Sequence, residues 1–183
     1  MAPEELTITA TEANDRLFAP FGKLVPMKDL RLVSSIPLRA ILGGKVPIGT
    51  PTADTNALTF WSGLADVDMG PVISFGVLAV KQRHFQCDML ERHAGGPEIL
   101  IPLDTCGMVM LVASATSAAP SADEVRAFLL DGSKAIILNE GTWHWVPYPL
   151  VPTATLAVIQ KRGTYQEDTG FKRLVPKVRI ALG

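Results

Sequence analysis

Four ionisable side chains in two separated segments have the types and spacing of a metal site. Glu91, His93 and Glu98 lie in the sequence Glu-Arg-His-Ala-Gly-Gly-Pro-Glu, and His144 ends the later sequence Gly-Thr-Trp-His. Side chains two residues apart on a strand point to the same face, so Glu91 and His93 would share a face. A turn at Gly95-Gly96-Pro97 would then bring Glu98 back beside them.

The mixture of imidazoles and carboxylates indicates which metals such a site would hold. One or two neutral imidazoles with one or two carboxylates suit manganese, iron, nickel or zinc better than copper(I). An alternative interpretation makes Glu91 and Arg92 an exposed ion pair and His93 a hydrogen-bonded turn residue. We expect a metal in the mouth of a small β-barrel, with His144 as a ligand from a distant strand.

Two cations that follow an apolar segment could bind a substrate carboxylate. Lys81 and Arg83 come directly after Val72–Val80. At the mouth of a barrel such side chains would hold a carboxylate through charge-assisted hydrogen bonds. They could equally be strand-end charges that face water. His84 beside them is a further candidate ligand.

The elements that must position these residues are mostly strands. Fourteen prolines and fifteen glycines indicate many turns, which favours an all-β fold with minor helix. Short helices are predicted at Thr11–Phe18, with Thr11 as the N-cap, and at Asp123–Leu130, and a final apolar stretch covers Leu174–Leu182. Strands are predicted at Leu6–Ala10, Leu58–Trp61, Val72–Val80, Ile99–Leu103, Met108–Ala113, Lys134–Leu138, Thr142–Trp145 and Ala154–Gln160.

Two loop segments contain incomplete binding motifs. The segment around Gly43-Gly44-Lys45 lacks the full phosphate-loop pattern, so we predict a surface loop or an arm over a partner subunit. Asp66 and Asp68 lack the remaining ligands of a calcium loop and are predicted to be solvated turn residues.

The composition limits the domain organisation and excludes several functions. The chain of 183 residues is 48% hydrophobic with a mean hydropathy of +0.25, which predicts one domain over residues 1–183. A net charge of -1 without a basic block argues against nucleic-acid binding. The apolar runs are too short to cross a membrane, and no secretory signal opens the sequence. Cys87 and Cys106 fit no metal or redox spacing, which predicts reduced thiols in a cytoplasmic protein.

Four segments in order carry a family resemblance. They are Phe18–Gly22, Leu90–His93 with the following Ile101–Leu103, Val125–Leu129, and Gly141–His144. The chain resembles the ureidoglycolate lyase family, a branch of the cupin superfamily, over roughly Leu6 to Arg173, with Arg31–Thr55 the poorest part. The resemblance implies a double-stranded β-barrel, often a homodimer. It also implies cleavage of (S)-ureidoglycolate to glyoxylate and urea in purine catabolism, with nickel or a similar divalent metal.

The resemblance further implies a metal-ligand set. Cupins usually bind metal through His-x-His, a Glu three or four residues later, and a distant Gly-x-x-His. His93, Glu98 and His144 fall on three of these positions, and Glu91 stands where the first His would be. Family lyases more often carry Gln at the position of Glu98.

The implied reaction assigns the other candidate residues. Whichever of Glu91 and Glu98 is not a metal ligand would act as the base that removes the substrate hydroxyl proton. Lys81 would clamp the small carboxylate substrate and assist catalysis, with Arg83 as the alternative clamp. The substrate pocket would also include the aromatic residues Trp143 and Trp145.

Departures from the family pattern leave other functions open. The family's Trp-His-His-Pro, an upstream Tyr and a late Asp-Phe-Leu with Asp-Arg are changed here at Leu138, Trp145, Thr155 and Gln160. If these positions line the pocket, it is more apolar than a ureidoglycolate site, which favours another α-hydroxy or α-keto acid. The remaining alternatives are a non-catalytic cupin that binds a small molecule and a structural dimer. A three-His iron dioxygenase would need all three histidines of the chain.

Overall fold

A computed structural model describes residues 4–27, 51–54, 59–61 and 65–183. In these ranges the chain forms a seven-stranded sheet, a five-stranded sheet and a separate two-stranded pair, with three short helical turns. The all-β class with minor helix and the β-barrel predicted from the sequence are confirmed.

The elements have the following bounds. The strands are β1 Glu5–Glu12, β2 Gly22–Pro26, β3 Pro51–Asp54, β4 Thr59–Trp61, β5 Ile73–Lys81, β6 Gln86–His93, β7 Glu98–Pro102, β8 Met108–Ala113, β9 Arg126–Leu130, β10 Lys134–Leu138, β11 Trp143–His144, β12 Tyr148–Pro149, β13 Thr153–Lys161 and β14 Thr169–Leu182. The helical turns are α1 Asp15–Phe18, a 3₁₀ helix at Ala122–Glu124, and α2 Thr164–Glu167.

The large sheet closes on itself. Its strand order is β11-β6-β14-β1-β9-β8-β12, and β11 also pairs with β8, so six of its strands form a ring. The small sheet has the order β2-β10-β7-β13-β5. Because β6 and β11 are neighbours in the large sheet and β7 is central in the small one, the predicted ligand residues can meet between the sheets.

Strand β8 separates two hydrophobic cores. Its even-numbered residues belong to a core that includes residues of both sheets, and its odd-numbered residues pack with residues from the other ring strands. Successive side chains of a strand point to opposite faces, so both faces of β8 are buried. This explains why its sequence is a continuous apolar run without alternation.

The predicted helix at Asp123–Leu130 is wrong. Only the 3₁₀ helix forms there, and Arg126–Leu130 is strand β9, paired with β8. Phe128 packs in the core between the sheets, while Ala127 packs inside the ring. Burial of both faces removes the period-two pattern that would have identified the strand.

The first helix is shorter than predicted. Thr11 belongs to β1 and pairs with Phe128, so it does not cap the helix. Asn14 is the N-cap, and its side chain accepts a hydrogen bond of 3.0 Å from the backbone N–H of Leu17.

Some expectations fall on residues that are not described. The predicted loop at Gly43-Gly44-Lys45, with its possible arm over a partner, lies outside the described residues. The predicted strand Leu58–Trp61 is described over Thr59–Trp61, as β4. Within the described ranges no helix has the length and apolar character needed to span a membrane.

Candidate metal centre

Strands from both sheets bring the four predicted ligand residues together. Glu91 and His93 lie on β6 and point to the same face because they are two residues apart. His144 on β11 pairs directly with Glu91. Glu98 begins β7 and faces them from the small sheet. The site therefore depends on the packing of the two sheets against each other.

The turn between β6 and β7 is held by side chains from distant parts of the chain. The Asp168 carboxylate accepts hydrogen bonds of 3.1 Å from the Ala94 N–H and 2.6 Å from the Gly95 N–H. The Lys161 ammonium donates to the Gly95 carbonyl at 3.3 Å. Because this turn connects the two sheets, these contacts help to fix Glu98 relative to β6.

The possible ligand atoms of Glu91, His93 and His144 all lie within 4.8 Å of one another, and the Glu98 carboxylate lies beside the two histidines. The His144 Nε2 atom lies 2.9 Å from Glu98 Oε2 and 3.8 Å from Glu91 Oε1. The His93 Nε2 atom lies 3.7 Å from Glu98 Oε2. Donor atoms around one tetrahedral ion are about 3.4 Å apart, given bond lengths of about 2.1 Å. These separations fit a shared divalent cation.

Each histidine has its other ring nitrogen near a hydrogen-bonding group. His144 Nδ1 lies 2.9 Å from the Thr142 carbonyl oxygen, which can only accept, so we assign the proton to Nδ1. His93 Nδ1 lies 3.4 Å from the Thr169 hydroxyl oxygen. Histidines that bind metals usually make such contacts through the nitrogen that is not coordinated. The two Nε2 atoms are thus the ones presented to the site.

One oxygen of Glu98 is buried without a hydrogen-bond donor among the described residues. Its Oε1 accepts a hydrogen bond of 3.0 Å from Gln160 Nε2, but its Oε2 has no such partner. With the proton of neutral His144 on Nδ1, His144 Nε2 and Glu98 Oε2 are two acceptors 2.9 Å apart. Only a proton or a cation between them makes this arrangement favourable. The residues present therefore fit a divalent metal.

The charges of these four side chains change one another's pKa values. Burial alone would lower the pKa of His144, but the Glu98 carboxylate outweighs it and raises this pKa. Burial would raise the pKa of Glu98, but His144, His93 and Gln160 lower it. Burial lowers the pKa of His93, and burial with the nearby Glu98 charge raises that of Glu91. These directions indicate that, without metal, both groups are charged and His144 Nε2–H supplies the donor that Glu98 Oε2 lacks when His144 is neutral.

The structure does not bring Lys81 or Arg83 together with the four predicted ligand residues. In the register of the small sheet, Lys81 pairs with Thr153, whereas Gln160, the neighbour of Glu98, pairs with Ser74. Lys81 lies seven positions beyond Ser74, which corresponds to about 23 Å of strand at about 3.3 Å per residue. The Arg83 guanidinium donates to two backbone carbonyls and lies 3.8 Å from the ring centroid of Tyr148. His84 is exposed between β5 and β6.

Trp143 and Trp145 do not line the candidate site either. Trp143 precedes His144 on β11 and so points to the opposite face, where its Nε1–H donates to the Ser117 carbonyl at 2.8 Å. Trp145 packs against the same core as Trp143. The Arg92 guanidinium lies 4.6 Å from the ring centroid of Trp143, so the alternative ion pair between Glu91 and Arg92 is also wrong.

Three residues that the sequence interpretation did not assign to the site lie next to it. Gln160 is buried and binds Glu98, and the Tyr165 ring centroid is 6.1 Å from that of His93. Phe171 pairs with Glu91 across β14 and β6 and is 60% exposed. A cavity of about 210 Å³ has Gln160 and Tyr165 in its wall. The strand pattern places Gln160 on the inner face, but no sequence signal identifies Tyr165.

A larger cavity lies away from these residues. Its volume is about 410 Å³, and its walls include Glu12, Asp131 and Lys134. None of the four predicted ligand residues lines this cavity or the smaller one. Cavity volume therefore does not identify the candidate site.

Comparisons with known proteins were made at the levels of sequence and structure. A search of curated proteins finds no match. RmlC from Streptococcus suis, in complex with dTDP-D-xylose, is similar at 14% identity and a TM-score of 0.40, over 76% of this chain and 70% of that one. The dTDP-6-deoxy-D-glucose-3,5-epimerase RmlC from Legionella pneumophila is similar at 12% identity and 0.39, over 63% and 65%. The family model for ureidoglycolate lyase matches residues 5–180. The chain therefore belongs to the ureidoglycolate lyase family.

Proposed function

We propose that the protein is a metal-dependent C–N lyase that cleaves (S)-ureidoglycolate, or a related α-hydroxy acid, to a glyoxylate-type product and urea. The observation that carries the proposal is the cluster of Glu91, His93 and His144, whose possible ligand atoms all lie within 4.8 Å of one another, with the buried Glu98 carboxylate beside both histidines, in a member of this family. On the same basis we assign the reaction to purine catabolism, in the degradation of allantoin.

The donor atoms suggest which residues hold the metal. His93 and His144 would bind through Nε2 and Glu98 through Oε2, with nickel, manganese, iron or zinc as the candidate ions. Bound there, a divalent metal would lower the pKa of the substrate hydroxyl and orient the substrate. Glu98 suits the ligand role because Gln160 and His144 already hold it in a buried position.

Glu91 is the better candidate for the general base. Its side chain is 14% exposed, compared with 6% for Glu98, and it lies beside the exposed Phe171. A substrate entering from that side would meet Glu91 first. A base must lie within hydrogen-bond reach of the proton that it removes, and the greater exposure of Glu91 makes it the more accessible of the two carboxylates.

One carboxylate can serve both proton transfers of the reaction. Glu91 takes the proton from the substrate hydroxyl while the C–O bond becomes a carbonyl and the C–N bond breaks. The electron pair of that bond stays on the leaving nitrogen. Glu91 then returns the proton to this nitrogen, which releases urea. The elimination consumes no water and needs no oxidant or reductant.

A second candidate function keeps the metal and changes the substrate: a lyase or isomerase that acts on a more apolar acid. The buried Leu138 pairs with Glu98, and the exposed aromatic rings of Tyr165 and Phe171 lie near the ligand residues. Lys81 lies far along β5, and the Arg83 guanidinium already donates to two backbone carbonyls, so we propose that the substrate carboxylate binds at the metal. These features favour an α-hydroxy or α-keto acid with an apolar substituent.

The test compares Glu91→Gln with Glu140→Gln, an exposed position outside the site. Both variants would be assayed for glyoxylate and urea from ureidoglycolate, then with other hydroxy and keto acids. Loss of a positioned base should slow turnover about 10²- to 10⁴-fold in Glu91→Gln while metal binding persists. Glu140→Gln should match the wild type. Equal turnover in the two variants would remove Glu91 from the mechanism, and tight metal binding without turnover of any acid would favour a binding protein.

We also propose that the protein is a homodimer in the cytoplasm. In the described part of the chain β5 is an edge strand of the small sheet, and its Phe75 and Val77 are 69% and 62% exposed. An exposed apolar edge strand favours pairing with another chain. Both cysteines are free thiols, which is compatible with a reducing compartment. Light scattering after gel filtration would give the mass in solution.

A further inference from the structure

Gln160 is the polar residue that links the small sheet to the candidate metal centre. It lies on β13 directly opposite Glu98 on β7, so the two side chains share one face. Both residues are buried, and Gln160 Nε2 donates to Glu98 Oε1 at 3.0 Å. An ionised carboxylate can only accept hydrogen bonds, which fixes the amide with its NH₂ group towards Glu98.

The hydrogen bond from Gln160 determines which oxygen of Glu98 faces the histidines. The last torsion of a Glu side chain is broad, so nothing intrinsic decides how the carboxylate is turned. A donor on Oε1 holds Oε2 towards His144 Nε2 at 2.9 Å and His93 Nε2 at 3.7 Å. Without this donor the carboxylate could rotate or bind a proton, and both changes compete with metal coordination.

We propose that Gln160 is a positioning residue that sets the metal affinity of the site through Glu98. The inference rests on the proposed metal-dependent function. Gln160 does not touch the metal in this account, and it is not a catalytic residue. Tyr165 lies with Gln160 in the wall of one cavity, and Gln160, Glu98 and His144 form a chain of contacts that ends at the buried histidine.

The test replaces the amide with an apolar group of the same length. Gln160→Met removes the donor, and Gln166→Met makes the same change at an exposed position on α2. Titration with Ni²⁺ should give a dissociation constant about 10- to 100-fold higher for Gln160→Met than for the wild type, the usual effect of losing an outer-shell partner. Gln166→Met should stay within about 2-fold of the wild type, as expected of a surface change.

A double-mutant cycle with Glu98→Gln separates positioning from general damage. If Gln160 acts through Glu98, Gln160→Met should cause little further loss of Ni²⁺ affinity once Glu98 is replaced. The visible spectrum of the Co²⁺-loaded protein should also change in Gln160→Met, because the coordination geometry changes. A purely structural role would lower stability in both backgrounds without this dependence. If Gln160→Met does not fold, Gln160→Ala serves in its place.

The outcomes distinguish this inference from the proposed function. If the wild type binds Ni²⁺ and Gln160→Met binds it as tightly as Gln166→Met, the positioning role is overturned and the metalloenzyme proposal stands. Equal losses of affinity with and without the Glu98 carboxylate would also overturn it. If the folded wild type binds neither Ni²⁺ nor Co²⁺, the proposed function fails and this inference fails with it.

Discussion

The buried pair of Glu98 and His144 predicts an unusual dependence of stability on pH in the metal-free protein. The perturbation is Glu98→Gln, which removes the charge and keeps the shape of the side chain. The pKa of His144 is raised mainly because Glu98 offsets the effect of burial, and the pKa of Glu98 is lowered by His144. Glu98→Gln should therefore lower the free energy of unfolding most in the pH range where both groups are charged in the wild type.

The signs of the two shifts define that pH window. The raised pKa of His144 stabilises the fold fully below its unfolded value of about 6.5, and this contribution is lost as the pH rises through the folded pKa. The lowered pKa of Glu98 stabilises the fold above its unfolded value of about 4.3, and this is lost as the pH falls through the folded pKa. Both contributions are complete between about pH 4.5 and 6.5. Removing one partner of a buried pair costs about 3–5 kcal/mol.

Urea unfolding in the presence of a chelator would measure the effect. At pH 5.5 we expect the free energy of unfolding of Glu98→Gln to be about 3–5 kcal/mol below that of the wild type. Above pH 6.5 the difference should shrink by about 1.4 kcal/mol per pH unit until His144 is neutral. Glu140→Gln, the exposed control, should stay within about 0.5 kcal/mol at every pH. A cost for Glu98→Gln that is the same at pH 5.5 and pH 9, or below about 1 kcal/mol at pH 5.5, would refute the ion pair.

Three other predictions concern the site directly. His93→Ala and His144→Ala should each remove metal binding and activity together, measured as metal content and glyoxylate release; full activity in either variant would exclude that histidine as a ligand. Lys81→Ala should leave kcat/KM within about 2-fold of the wild type, because Lys81 lies about 23 Å along the strand from the level of the site; a large loss would contradict the described register. Calorimetry with Ni²⁺ in buffers of different ionisation enthalpy should detect about one proton released near pH 6, because metal must displace the proton of His144; zero protons would mean that His144 is neutral without metal.

The ligand set could be predicted because its geometry is local. Glu91 and His93 share a face by strand alternation, and the Gly-Gly-Pro turn returns the chain at Glu98. The relative positions of these side chains depend on a few consecutive residues and do not depend on how the rest of the chain folds. His144 was expected as a ligand from a distant strand, but its position opposite Glu91 is a long-range pairing that no local pattern specifies.

The predicted substrate-binding residues could not be placed from the sequence, because their positions depend on long-range geometry. Proximity in sequence to an apolar strand does not show which end of that strand is near the ligand residues, so the sequence could not place Lys81 and Arg83 relative to them. Trp143 is next to a ligand residue in sequence, and this adjacency is what turns it to the other face. Gln160 was expected to make the pocket more apolar, whereas it supplies the hydrogen bond that holds Glu98.

The fold class was accessible from composition and turn residues, but individual elements were not. Strand β9 was predicted to be helical because both of its faces are buried, which removes the alternation between apolar and polar positions. The continuous apolar strands of this protein reflect two cores on opposite faces of one sheet. A single sequence does not show that arrangement.

The most direct test of the central claim is the metal content of protein purified without chelator, measured by elemental mass spectrometry. If the proposed ligand residues hold a metal, the protein should contain about one equivalent of nickel, manganese, iron or zinc per chain. This metal should be absent from His93→Ala and His144→Ala. A folded wild-type protein that contains no such metal and cannot be reloaded with any of the four would contradict it.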